Sequence, residues 1–192
     1  MSHLNSKKYA IKHHNMSGCK YDGKPYEIHL MSTVGFVYKY RYLIPKNLYF
    51  LIKQAGWCHD LIEDTGENYN NIKKTLGSFV ADLVYALTNE KGRTREERAN
   101  NKYYKGIRKT EYADFLKICD RLANVSYSKE KQSKFNLPSM FKKYKKENPN
   151  FKKKLYNPKY HSMFNELRLL FGYPPISNIE KILLTLRRSF SF

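Results

Sequence analysis

Leu48-Tyr49-Phe50-Leu51-Ile52-Lys53-Gln54-Ala55-Gly56-Trp57-Cys58-His59-Asp60-Leu61-Ile62-Glu63-Asp64-Thr65 reads in two halves. In the first half Leu48, Leu51, Ile52, Ala55 and Cys58 recur at spacings of three and four, the apolar stripe of an amphipathic helix. That helix is expected to run from Lys46 to Ile62. In the second half one histidine and three carboxylates fall within six residues, in a chain where 36 Lys and Arg outnumber 17 Asp and Glu. Carboxylates this close resist ionising together unless a cation or a proton intervenes. An imidazole beside a carboxylate also suits a divalent transition metal. On a helix His59 lies one turn before Glu63, and Asp60 one turn before Asp64, so two adjacent faces would carry the polar groups.

Working outward, helical periodicity dominates and strand signals are weak. No hairpin is expected, and Ser17–Pro25 reads as a turn-rich loop between a helix at about 4–16 and another from Tyr26 to Leu43. Asn68–Leu76 and Ser78–Leu87 read as short helices divided by Gly77, with Ser78 as a candidate cap. Arg95–Lys109 reads as one charged helix and Tyr112–Ser128 as an apolar one. A Lys-rich part follows, with breaks expected near Pro138, Pro149 and Pro158; then come amphipathic Tyr160–Phe171 and a last helix at Ile179–Arg188. The expected fold class is all-α.

With 192 residues the chain has room for one domain and an extension, and its 17 Tyr and 11 Phe argue against disorder. No run of about 18 apolar residues suggests a membrane span, and residues 1–15 lack the apolar core of a secretory signal. Cys19, Cys58 and Cys119 are odd in number and form no CxxC pair, so reduced thiols and a cytoplasmic location are expected. The net charge of +19 is concentrated in residues 129–159, where eleven Lys face only Glu130 and Glu147. Such a surface attracts polyanions, although a solvated helix face accounts for it equally well.

Two neighbouring ligands do not hold a metal alone; three protein groups and an open position are needed. The stretch is not HExxH, which argues against a zincin protease. His29, early in the second helix, and Asp120, in the apolar run Leu116–Arg121, are the candidates to complete the site. The plain alternatives are a satisfied core histidine for His29 and an ion pair with Arg121 or a nearby Lys for Asp120.

The order His29, His59-Asp60, Asp120 resembles the HD-domain metal phosphohydrolases. The longer string resembles the hydrolase domain of the RelA/SpoT alarmone enzymes, especially the small stand-alone alarmone hydrolases. Asp22–His29 is similar to that family's "G-x-PY-x-x-H", and His59–Thr65 reads "HDxxEDT" in full. Thr75–Thr88 is similar to "FGxxVAxLV" with its closing "LT", and Leu116–Asn124 to "K-x-ADRLHN". The likeness is good over roughly 5–128, loose over 129–172 and absent beyond about 173. It implies a hydrolase domain over 1–172 (core motifs 20–128) and a helical extension over 173–192.

The resemblance further implies an HD-domain helical bundle of about eight to ten helices with His29, His59, Asp60 and Asp120 as ligands of one Mn²⁺. Glu63 and Asp64 would orient and deprotonate the attacking water, and Lys20, Asn124 and Tyr144 would contact substrate. The implied reaction removes the 3′-pyrophosphate of (p)ppGpp or a related nucleotide. Leu30 replaces the usual Pro and Ala123 the usual His, which leaves the metal chemistry intact and the substrate open. The same chemistry on tRNA 3′ ends, with RNA held by 129–159, is an alternative. A general nucleotidase, or a binding protein with a vestigial site, are others. Oligomeric state is not legible.

Overall fold

Periodic apolar residues become helices wherever their stripe finds a surface to bury against, and the computed structural model, which describes residues 6–135 and 140–189, is all-α apart from one small hairpin. No helix among the described residues is long and apolar enough to cross a membrane. By its contacts the chain divides into two compact units, residues 1–119 and 120–192, the division falling inside a continuous helix.

In the first unit α1 (Ser6–Met16) leads into the hairpin β1 (Lys20–Tyr21) and β2 (Lys24–Pro25), then α2 (Glu27–Lys39). The hairpin corrects the expectation of a plain loop. Asp22 and Gly23 have φ of 54° and 78°, and consecutive left-handed residues are what a tight type I′ turn between antiparallel strands requires. The second helix also ends sooner than expected. Tyr40 leaves helical geometry, Arg41–Leu43 form a 3₁₀ turn, and Ile44 is extended, as a residue before proline tends to be.

The expected helix from Lys46 to Ile62 is two helices, α3 (Tyr49–Cys58) and α4 (Leu61–Asp64). The break falls on His59-Asp60, so this pair sits at a helix junction and not on a helix face. The His59 ring turns back on the preceding turn, its Nδ1 2.9 Å from the Gly56 carbonyl, and Asp60 (φ −100°, ψ 1°) is non-helical. Gly56 also lets α2 approach: a Cβ there would stand 3.2 Å from Val34 Cγ2.

After α4 come α5 (Tyr69–Leu76), capped by the Asn68 side chain, and α6 (Ser78–Leu87). Ser78 is not the cap expected; it is already helical, and Gly77 (φ 92°) makes the junction. The single helix expected over 95–109 is α7 (Arg95–Arg98) and α8 (Asn101–Lys109), because Asn100 accepts from the Tyr103 amide and starts a new helix. α3 packs against α1, α2 and α6. Leu30, Val37, Ile52, Ala55, Val80 and Val84 are fully buried in this unit.

α9 (Ala113–Phe135) carries the chain into the second unit, which holds α10 (Phe141–Leu155), α11 (His161–Leu170) and α12 (Asn178–Ser189). The break expected near Pro138 lies outside the described residues. Pro149 does not break α10. A proline inside a helix costs about 3 kcal/mol. Phe151 and Leu155, both buried on one face with Asn148, return on the order of 1.5–3 kcal/mol each, which is enough to keep the helix continuous.

Arg121 ties α9 to α10. Its guanidinium lies 4.9 and 4.6 Å from the Tyr144 and Phe151 rings, and Nη1 donates to Glu147 Oε2 at 2.8 Å. Arg121→Ala is expected to destabilise this unit by about 2 kcal/mol in urea unfolding followed by circular dichroism. Arg121→Lys should recover only part of that, because an ammonium keeps the ion pair but cannot stack in two directions.

Candidate metal centre

His29 is brought inward by the hairpin and the first turn of α2. The chain reverses at Asp22-Gly23, and the Tyr21 ring then lies over the His29 imidazole at 4.8 Å and 17°. His59 arrives from the α3–α4 junction. Both are buried, and their Nε2 atoms are 3.2 Å apart. Asp60 Oδ2 completes a triangle, 3.3 Å from His29 Nε2 and 3.0 Å from His59 Nε2.

Asp120 follows Cys119 on the unbroken α9, between buried Ile118 and Leu122. It is itself buried, and one ligand atom from each of His29, His59 and Asp120 lies within 4.8 Å of the other two. Its Oδ1 accepts a 2.5 Å hydrogen bond from Asn124 Nδ2, one helical turn on. The guanidinium of the adjacent Arg121 pairs with Glu147.

This donor set fits a divalent ion. The Gly56 carbonyl can only accept, so His59 Nδ1 carries the proton and Nε2 presents its lone pair to the triangle. Two ligand atoms about 2.1 Å from one ion and at right angles to it are about 3.0 Å apart, close to the separations found. Burial alone would raise the Asp60 pKa, but with no ion bound the His59 and His29 imidazoles, where they carry a proton toward Oδ2, hold it well below the usual carboxylate range. The carboxylate is therefore ionised when a cation arrives.

Glu63 and Asp64 part company. Glu63 points to the loop after α6, where Asn89 Nδ2 donates to Oε1 at 2.7 Å and the Asn89 amide to Oε2 at 3.4 Å. Asp64 stays near the triangle: crowding by protein atoms and the Asp60 charge push its pKa up to about 6, and the Tyr26 hydroxyl pulls the other way. Of the expected substrate contacts, Lys20 is exposed on β1, Asn124 serves Asp120, and Tyr144 packs under Arg121.

Two residues escaped the sequence reading. Tyr26 donates to Asp60 Oδ2 at 2.8 Å, and the buried ring of His14 lies flat on Tyr26. A spacing signal existed for both. Tyr26 precedes His29 by three residues at the start of α2, and His14 shares the buried face of α1 with Ser6 and Ala10 at intervals of four.

Buried imidazole nitrogens and carboxylates that converge on an all-α frame make up a candidate metal centre. The chain is similar to proteins that bear a specific name. Over 74 residues it is 27% identical to guanosine-3′,5′-bis(diphosphate) 3′-pyrophosphohydrolase MESH1 of Drosophila melanogaster, covering 38% of this chain and 41% of that one. Over 72 residues it is 28% identical to the Danio rerio protein of the same name, covering 38% and 40%. Over 120 residues it is 29% identical to the guanosine-3′,5′-bis(diphosphate) 3′-pyrophosphohydrolase of Spiroplasma citri, covering 59% of this chain and 15% of that one. The chain thus spans about two fifths of the two animal relatives and a much smaller share of the third. No protein-family profile matches it. The likeness to ppGpp hydrolases that the motifs implied is found again in these relatives, at modest identity.

Proposed function

We propose that this chain is a metal-dependent pyrophosphohydrolase that removes the 3′-pyrophosphate of ppGpp or a related nucleotide, releasing GDP or GTP and pyrophosphate. The observation that carries this reading is the buried His29–His59–Asp120 group with Asp60 against both imidazoles. The names of the three relatives support the substrate. His29, His59, Asp60 and Asp120 would hold the ion, Mn²⁺ in the family resembled. When bound it would lower the pKa of water and shield phosphate charge.

The rest falls to the chain's own groups. The water oxygen adds to the phosphorus that bears O3′, the P–O3′ bond breaks, and O3′ takes up a proton as pyrophosphate leaves. Asp64 is the base that receives the water proton, and a carboxyl whose pKa is raised toward neutrality suits that task. Glu63, held by Asn89, fixes the loop after α6 beside the reacting groups. The Asn124 amide keeps Asp120 oriented.

A second substrate has an observation of its own. α10 exposes Lys142, Lys143, Lys146 and Lys153, a cationic face suited to RNA, whereas Lys152 is paired with Glu180. One panel tests both readings: purified protein with Mn²⁺ against ppGpp, pppGpp, ppApp, dNTPs and pyrophosphorylated tRNA, with products resolved by anion exchange. Conversion of ppGpp to GDP is the expected result. Inertness toward all three alarmones while metal is bound rejects the first reading. Preferential turnover of tRNA, lost steeply with salt and on replacing those four lysines by Ala, would establish the second.

A further inference from the structure

His14 is an unusual residue to bury without hydrogen bonds. Its side chain is 1% exposed in α1, and neither Nδ1 nor Nε2 has a hydrogen-bond partner. Burial lowers its pKa to about 4, although Asp60 pulls the other way, so the ring is neutral at neutral pH. An unsatisfied N–H and an unsatisfied lone pair both cost stability, a penalty that Phe in the same slot would not carry. The ring's flat face is what it contributes. It lies parallel to Tyr26 at 4.2 Å and 9°.

Tyr26 is the link to the metal centre. Its hydroxyl donates at 2.8 Å to Asp60 Oδ2, the atom that faces both His29 and His59. His29 and Tyr21 meet the phenol nearly edge-on, at 5.7 Å and 84° and at 6.1 Å and 83°. Swinging about χ1 would carry the hydroxyl off the carboxylate, and the neighbour lying flat on the ring that opposes this swing is His14. A carboxylate ligand held by an outer hydrogen bond binds metal more tightly than a free one.

We propose that His14 is a positioning residue for the metal centre, its stacked ring holding the Tyr26 hydroxyl on Asp60 so that this carboxylate stays aimed at the ion. The inference rests on the metal-dependent reading above. It assigns His14 no part in proton transfer and requires only a flat ring at this position.

The test uses the whole chain, with Mn²⁺ affinity from competition with a fluorescent chelator and the melting temperature of the metal-free protein. His14→Phe keeps the flat face and should bind Mn²⁺ within about twofold of wild type while melting higher, since no polar atom is then buried unpaired. His14→Leu fills the space without a flat ring, and Tyr26→Phe removes only the hydroxyl. Both should weaken Mn²⁺ binding by about 10- to 100-fold.

Unchanged affinity in His14→Leu, even with a lower melting temperature, would reduce His14 to packing. Weakened affinity in His14→Phe would show that the nitrogens act and not the ring face. Either result overturns the inference and leaves the hydrolase reading standing. A wild-type protein that binds no Mn²⁺ overturns the reading beneath it.

Discussion

Replacing Asp64 by Asn is expected to lower ppGpp turnover by about 100- to 10,000-fold while Mn²⁺ affinity stays within a few-fold of wild type. Asn has the size of Asp but cannot accept a proton, so only the step that needs a base is removed. Glu63→Gln is expected to cost about tenfold at most, because the amide oxygen of Gln can still accept from Asn89 and no base is lost. The contrast comes from where the two side chains point. Glu63 reaches the loop after α6, and Asp64 lies within the influence of Asp60 and Tyr26. Steady-state kinetics on both variants, with metal affinity measured in parallel, decides the matter. Equal losses would return the two carboxylates to a shared role.

His59→Ala is expected to abolish both Mn²⁺ binding and turnover. His59 is the best-prepared candidate ligand, with Nδ1 committed to Gly56 and Nε2 turned to His29 and Asp60. Removing it leaves His29, Asp60 and Asp120 around a hole the size of an imidazole. Thermal unfolding reads the loss without any substrate. Mn²⁺ at a hundred times its Kd is expected to stabilise wild type by about 2.7 kcal/mol. For a chain of this size that is a rise in Tm of roughly 5–10 °C. The rise should disappear in His59→Ala and in wild type treated with a chelator. A His59→Ala protein that still gains several degrees from Mn²⁺ would place the ion elsewhere.

How much of this was readable in advance depended on the range of the interaction concerned. The apolar stripe of α3 was legible, because burial periodicity is a property of neighbours three and four apart. So was α6, up to its first residue. The break at His59-Asp60 was not, since it depends on a ring folding back onto the Gly56 carbonyl, where a propensity argument sees continuous helix. Pro149 misled in the opposite direction. Its local cost is real, and the burial of Phe151 and Leu155 exceeds it. Around Asp22-Gly23 the turn-rich loop was legible, but the strand pairing was not, because it depends on Lys20 and Tyr21 meeting Pro25 and Lys24 across the turn.

The sequence by itself determined the helical class, the acidic stretch within a basic chain, and the ordered motif string that pointed to His29, His59, Asp60 and Asp120 as candidate ligands. Only the tertiary structure decided that His29 and His59, thirty residues apart, face each other through Nε2. It also separated Asp64 from Glu63 and placed Tyr26 and His14 behind Asp60. Residue type and local spacing are written along the chain and act over a turn or two of helix. Which donor atoms meet in a buried space depends on packing among helices distant in sequence, and that packing is settled by the whole core.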